Sequence, residues 1–246
     1  MNWYNDEELW QVFYDCMFDE ESFKLAEQQV TQVLALVEHK VDAVLDLACG
    51  PGRHCLSFAK MGMKVIGVDS SEFLLRKAKE KSDQQKLRVT FVHDNMLDYV
   101  SERKVDLIVN MFNSFGYFDT QEENQQLINN VFANLSETGT LIIDTVGKET
   151  LARTIEPVHL TEYENGDLRI ERPLLIDDMQ VFSNEWIYIS GEKVYRKNYQ
   201  HFVYTPMELK TMCFQAGFNE VDVYGSLDAE PYDLESERLV IVAKKY

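Results

Sequence analysis

Asp46, Gly50, Gly52 and Asp69 have the types and spacing that suit recognition of a nucleoside. In VLDLACGPGRH, residues 44 to 54, an apolar β-branched run meets a loop with glycines at 50 and 52 and then a helical stretch. Glycines at such a strand-to-helix turn let the backbone come close to a ligand. The next β-branched run, KVIGVD, ends on Asp69, near the roughly 20-residue interval at which a carboxylate reaches a ribose hydroxyl. A dinucleotide loop needs a third glycine three positions after the second, so that a pyrophosphate can sit on the helix N-terminus. Cys55 stands there instead. Asp46 would repel a pyrophosphate, whereas it can accept hydrogen bonds from an ammonium group. The loop therefore suits a nucleoside with a cationic amino-acid part better than NAD. Arg53 can pair with the carboxylate of that part, or equally form a plain surface ion pair. A third run ends in His93, Asp94, Asn95 and Met96. Asp94 can accept from a purine amino group and Met96 can pack on the purine face, although Asp94 and Asn95 equally suit a turn cap.

These side chains meet only if parallel strands deliver them to one edge. VDAVLDL, KVIGVD, RVTFVH, VDLIVNMF and TLIIDTV alternate with helical stretches, and FNEVDVYG and ERLVIVAKK follow near the end. That alternation predicts an α/β fold: a doubly wound, mostly parallel, seven-stranded, Rossmann-like sheet covered by helices on both faces. Before it, residues 6 to 18 place Leu9, Trp10, Phe13 and Met17 on one stripe, and residues 22 to 38 place Val30, Val33, Leu34 and Val37 on another. They predict an N-terminal helical cap over residues 1–40. After the fifth strand the rhythm changes. Three strand-like runs are divided by the turn signals Asn165-Gly166, Asp177-Asp178 and Ser190-Gly191, which predicts an antiparallel β insertion over residues 147–205. Pro206 and Gly217 bracket a further helix. No linker or repeat demands a second domain, so residues 1–246 are expected to form one.

Composition narrows the function classes. The chain has 246 residues and a net charge of −18, a field that repels phosphate backbones and weighs against nucleic-acid partners. No stretch approaches the roughly 18 apolar residues of a membrane span, and the acidic opening MNWYNDEELW lacks the pattern of a secretory signal; a cytoplasmic location is the expectation. Cys16, Cys49, Cys55 and Cys213 form no CxxC pair and read as reduced, structural thiols. Cys49, His54 and Cys55 fit no zinc spacing, so no metal is expected.

The succession DLACGPGRH, VIGVDSS, HDNM and VDLIVNMFNSFGYF, followed by LSETGTLIID and YTPMEL…AGF…VYG, resembles the class I methyltransferases that depend on S-adenosylmethionine. The resemblance covers nearly the whole chain. NSFGYF at 113–118 and the β-rich insertion are similar to a small-molecule branch that includes aminosugar N-methyltransferases. The resemblance implies S-adenosylmethionine as cofactor, with Asp46, Ala48, Gly50 and Gly52 around its methionine part. It also implies Asp69 and the following Ser70 at the ribose, Asp94, Asn95 and Met96 around adenine, and Asn110 beside the sulfonium. Thr138-Gly139 departs from the paired glycines usual in the family, a difference expected to affect turn geometry alone.

Methyl transfer from a sulfonium is an in-line displacement, so alignment and exclusion of water do much of the catalysis. The fourth strand ends in Asn110-Met111-Phe112-Asn113, without the Asn-Pro-Pro-Tyr pattern associated with methylation of bases and amides in the resembling superfamily. No Pro-Cys pair occurs there to activate a pyrimidine ring. A small-molecule acceptor is expected, with the insertion over residues 147–205 as its lid, nitrogen or oxygen both open and monomer or homodimer both open. Tyr117 and His201 are the candidates for acceptor contacts, Tyr as an orienting group and His as a base. Each has a plain alternative: Tyr117 packing with Phe115 and Phe118, His201 on a solvent face. His159 is a weaker candidate, and the spacing of Tyr14 with Trp10 fits core packing as well as closure over a cofactor. Two other classes compete, a nicotinamide-dependent oxidoreductase and a non-catalytic cofactor-binding or interaction protein.

Overall fold

The computed structural model describes residues 2–246. A short 3-10 turn, Trp3–Asn5, precedes helices α1 (Glu7–Met17) and α2 (Glu20–Ala35). Asp6 and Asp19 cap them by accepting from backbone N–H groups of the first turn, as short acidic side chains do. Strands β1 (Ala43–Leu47), β2 (Lys64–Asp69), β3 (Val89–His93), β4 (Val105–Asn110) and β5 (Leu135–Thr145) then alternate with α3 (Arg53–Lys60), α4 (Glu72–Gln84) and α5 (Gln121–Asn134). Helix α7 (Pro206–Ala216) and strands β10 (Glu220–Tyr224) and β11 (Leu239–Lys244) close the chain. Thr205 and Glu208 form a capping box before α7, and Gly217 ends it at φ 110°, where an L side chain would be strained.

The seven-stranded sheet has the order β10-β11-β5-β4-β1-β2-β3. Strands β1 to β5 run parallel, and β11 lies antiparallel to both β5 and β10. Successive residues of the central strands point to opposite faces, so Leu45, Leu47, Val68 and Ile108 enter one core with Leu74 and Leu127, while Val44, Val65, Leu107 and Val109 enter another with Val30, Val33 and Phe58. Burial on both faces is why these strands are almost continuously apolar. Because β1 pairs with β2 on one side and β4 on the other, the connections diverge there and leave a crevice at the carboxyl ends.

The expected β insertion opens with a helix, α6 (Lys148–Thr154), before its strands begin. Seven residues without a side-chain N-cap are too short to display a helical period. The strands are β6 (His159–Glu162), β7 (Leu168–Ile176), β8 (Val181–Ser190) and β9 (Lys193–Phe202), and they form a second, antiparallel sheet in simple sequence order. Strand β6 is an additional edge strand that the apolar pattern did not announce, being four largely exposed residues. Asp177, Asp178 and Met179 all take left-handed φ at the β7–β8 turn. Strand β5 begins five residues earlier than TLIIDTV. Its register against β4 is irregular between Val105 and Leu107, and Gly139 there has no room for a Cβ, which would lie 2.8 Å from Leu135.

Candidate functional site

A cavity of about 440 Å³ lies at the carboxyl ends of β1, β2 and β4, between the main sheet, the N-terminal helices and the second sheet. The loop after β1 curls through left-handed φ at Ala48 (57°), Gly50 (55°) and Gly52 (77°). Gly52 faces away from the cavity. A Cβ on it would stand 3.0 Å from Ala78 and 3.1 Å from Phe91, and at Gly67 a Cβ would stand within 2.9 Å of both Cys49 and Cys55 sulfurs. Close packing behind the loop therefore holds its ligand face in place.

Asp46 is 1 % exposed yet lines the cavity. Cys55 Sγ donates to its Oδ2 at 3.1 Å, and burial pushes its carboxyl up to about 7 against the pull of that bond and of Arg53. Asp69 Oδ2 accepts from Gly50 N at 2.7 Å and Oδ1 from Ser71 N at 2.9 Å, tying the two binding loops together. Burial raises Asp69 to about 6. Each of its oxygens keeps acceptor capacity for a further partner. Arg53 lies with its guanidinium 4.3 Å from the Phe112 ring centroid, and desolvation lowers it to about 10.

Ala48, Gly50, Ser70, Asn95 and Met96 also line the cavity. Asn95 Oδ1 accepts from Leu97 N at 3.0 Å. Asp94 is exposed, lies outside the lining, and accepts from Asn95 N. Asn110 is buried behind the lining: its Nδ2 donates to Leu47 O at 3.0 Å, and its Oδ1 has no partner. Next to it, Phe112 and Asn113 both take left-handed φ, 59° and 66°. Asp144 at the end of β5 supports this kink, with its O accepting from Asn113 N and its Oδ2 from Phe112 N, while Arg238 Nε donates to its Oδ1 at 2.7 Å.

Tyr117 and His201 come together across the cavity, ring centroids 5.9 Å apart. The loop carrying Tyr117 is fastened to β9 through Gly116, whose O accepts from Phe202 N at 2.8 Å. Tyr117 packs edge-on to Trp3 at 4.6 Å, and burial raises its hydroxyl well above the usual phenol range. Burial also lowers His201 to about 4, and its Nδ1 is buried without a partner. His159 is exposed beside Glu156, and Tyr14 packs against Phe18 and Phe73; neither lines the cavity.

Several lining residues escaped the sequence reading. Trp3, Trp10, Phe18, Phe182, Trp186 and Tyr199 all line the cavity. The period-2 alternation of β8 and β9 was the signal for the last three, since the register sets Phe182 opposite His201 and Asn184 opposite Tyr199 on one face. The N-terminal segment is pinned over this wall: Trp3 Nε1 donates to Gln200 O at 2.8 Å, and Lys197 pairs with Asp6 and Glu8. At its other side Glu7 accepts from Ser71 Oγ and from the N–H groups of Glu72 and Phe73, capping α4 beside Asp69.

Among known proteins, the glycine/sarcosine N-methyltransferase of Aphanothece halophytica is 24% identical over 221 residues, 87% of this chain and 80% of that one. The dTDP-3-amino-3,4,6-trideoxy-alpha-D-glucopyranose N,N-dimethyltransferase of Streptomyces venezuelae is 29% identical over 105 residues, 43% of each chain. The crystal structure of an S-adenosylmethionine-dependent methyltransferase from Clostridium acetobutylicum matches with a TM-score of 0.82 at 18% identity, covering 97% of this chain and 98% of that one. A family model described as a methyltransferase domain matches residues 38–196, more than half of the chain, and the glycine loop, Asp69 and the five parallel strands β1 to β5 all lie within that match: the chain belongs to the methyltransferase domain family.

Proposed function

We propose that the protein transfers a methyl group from S-adenosylmethionine to a nitrogen or oxygen of a small molecule by in-line displacement. The observation that carries this reading is one continuous cavity with a nucleoside-type lining, Asp46, Gly50 and Asp69, at one end, and a second-sheet lining with Tyr117 and His201 at the other. The residues present fit the cofactor. Its amino-acid ammonium suits the buried Asp46 carboxylate, its carboxylate suits Arg53, and its ribose hydroxyls suit the spare acceptor capacity of Asp69 beside Ser70. Ala48 and Gly50 give the backbone close approach to the methionine part, with Gly52 fixing the loop from behind. Asn95 and Met96 take the purine, with Asp94 outside the lining, and Asn110 braces the strand end next to the sulfonium position.

Bound there, S-adenosylmethionine supplies an electrophilic methyl group. The chain's own residues align the acceptor and exclude water. Tyr117 and His201 orient it, and the second sheet over residues 147–205 acts as the acceptor-side lid, with the helical cap of residues 1–40 closing the remaining side of one methyltransferase unit. Membership of the small-molecule branch fits the NSFGYF loop, which brings Tyr117 to the cavity. Among the described residues no helix is long and apolar enough to cross a membrane; unpaired thiols at Cys16, Cys49, Cys55 and Cys213 suit a cytoplasmic setting.

Calorimetry with S-adenosylhomocysteine and NAD tests the donor. Binding of S-adenosylhomocysteine alone is expected, and Asp69→Ala should weaken it by about tenfold or more through loss of charge-assisted hydrogen bonds. Binding of NAD in its place would overturn the reading.

A further inference from the structure

The acceptor end of the cavity has a distinct chemical character. Trp3 comes from the N-terminal turn, Tyr117 from the loop after β4, and Trp186, Tyr199 and His201 from one face of the second sheet. Tyr199 and His201 lie two residues apart on β9 with their rings stacked, centroids 6.1 Å apart and planes within 5° of parallel, and with the two indoles and Tyr117 they make this end of the lining largely aromatic. Four buried polar atoms of the cavity lining have no hydrogen-bond partner within the protein: Trp186 Nε1, His201 Nδ1, Asn113 Oδ1 and Arg169 Nε, the last of which still ion-pairs with Glu171. The indole can only donate and the Asn113 oxygen can only accept, so the site lacks one acceptor and at least one donor. Groups left this way are costly unless a ligand completes them.

Charge narrows the classes of occupant. Among the described residues the cations lining the cavity are Arg53, at the donor end, and Arg169. Arg169 Nε lies 2.7 Å from Glu171 Oε1, so the acceptor-end cation and anion offset one another's charge. A sugar diphosphate therefore meets no uncompensated positive charge at this end. The proton balance points the same way. His201, lowered to about 4 by burial, is a weak base and is poorly matched to an aliphatic ammonium, whose ordinary value lies near that of a lysine side chain. An arylammonium is a far stronger acid and can pass its proton to such an imidazole.

Resting on the methyl-transfer reading above, we infer that the acceptor is an uncharged aromatic or heteroaromatic amine, its ring packed among Trp3, Tyr117, Trp186 and Tyr199 and its edge completing Trp186 Nε1, His201 Nδ1 and Asn113 Oδ1. The amine lone pair forms the new bond to the methyl carbon as the carbon–sulfur bond breaks. The pair from that bond stays on sulfur, giving S-adenosylhomocysteine. The surplus proton on nitrogen passes to His201 Nδ1 and then to solvent.

The test is calorimetry on the full chain saturated with S-adenosylhomocysteine, titrated with 3-aminoquinoline and 6-aminoindole and, separately, with glycine and methylamine. At least one arylamine should bind saturably while glycine and methylamine do not. His201→Phe and Trp186→Phe, which keep a ring and remove one polar atom each, should weaken it by about tenfold with the affinity for S-adenosylhomocysteine unchanged. Binding of glycine or methylamine without either arylamine, binding of none of the four, or arylamine binding indifferent to both substitutions would overturn the acceptor assignment and leave the donor reading standing. Failure of S-adenosylhomocysteine itself to bind would overturn both.

Discussion

Asp46 shows how one buried carboxylate couples binding to pH. Its folded-state value of about 7 stands above the ordinary 3.8 because burial disfavours the charge, so the ligand-free protein binds an extra proton between those values. The sign follows: Asp46 favours folding at low pH, and that contribution is lost as pH rises towards 7. An incoming ammonium prefers the ionised form. Affinity for S-adenosylhomocysteine is therefore expected to fall as pH drops below about 7, approaching tenfold per unit, and Asp46→Asn should flatten that dependence while weakening binding at pH 8; calorimetry across pH 5.5 to 8 measures both. The sequence made this residue legible because its type contradicts its neighbours: an acid inside VLDLAC has no core role. Asn113 was not legible in the same way. Its importance comes from a left-handed backbone held by Asp144, more than thirty positions along the chain, and no local pattern encodes such a contact. Asp94 illustrates the reverse case, where a plausible local pattern, a carboxylate at a strand end, leads to an exposed side chain that caps its own turn.

At the scale of elements, the central parallel strands were readable because they are buried on both faces, and helices such as α4 and α5 because the sequence spells out their caps, Ser71 and Thr120. The second sheet was readable as strands and expected as an acceptor-side lid, but its cavity-facing side was not, since alternation in β8 and β9 assigns two faces without saying which one turns inward. What decides it is the junction at Gly116. A Cβ there would lie 2.2 Å from Phe202 O, and φ is +98°, so the loop carrying Tyr117 can meet β9 only through glycine. Gly116→Ala is expected to cost about 1–3 kcal/mol through the strained backbone alone, with the clash added, lowering the melting temperature by several degrees. Because the loop bears on the acceptor end, methyl transfer should fall much further than affinity for S-adenosylhomocysteine; parallel melting, binding and turnover measurements would separate the two. Equal losses in both would show that the loop does not divide the cavity in this way. Helix α6 and strand β6 stayed hidden for a plainer reason, spanning only about two repeats of their periods, too few to stand out from their surroundings.

Across the whole molecule, the net charge of −18 opposes phosphate-rich partners and favours a cofactor whose own net charge is positive. Ligand linkage is then expected to be visible as heat resistance: S-adenosylhomocysteine at 100 times its dissociation constant adds about 2.7 kcal/mol, which for a chain of this length is about 5–10 °C in melting temperature. A thermal melt with and without it checks the figure, and no comparable rise is expected with NAD. The N-terminal segment shares in this response, because Glu7 holds α4 on the donor side while Lys197 and Gln200 hold the same segment on the acceptor side. The lining has one more consequence. All three tryptophans of the chain, Trp3, Trp10 and Trp186, face the same cavity, so tryptophan emission, excited to the red of tyrosine absorption, has no silent background: its colour and yield report directly on what fills the site.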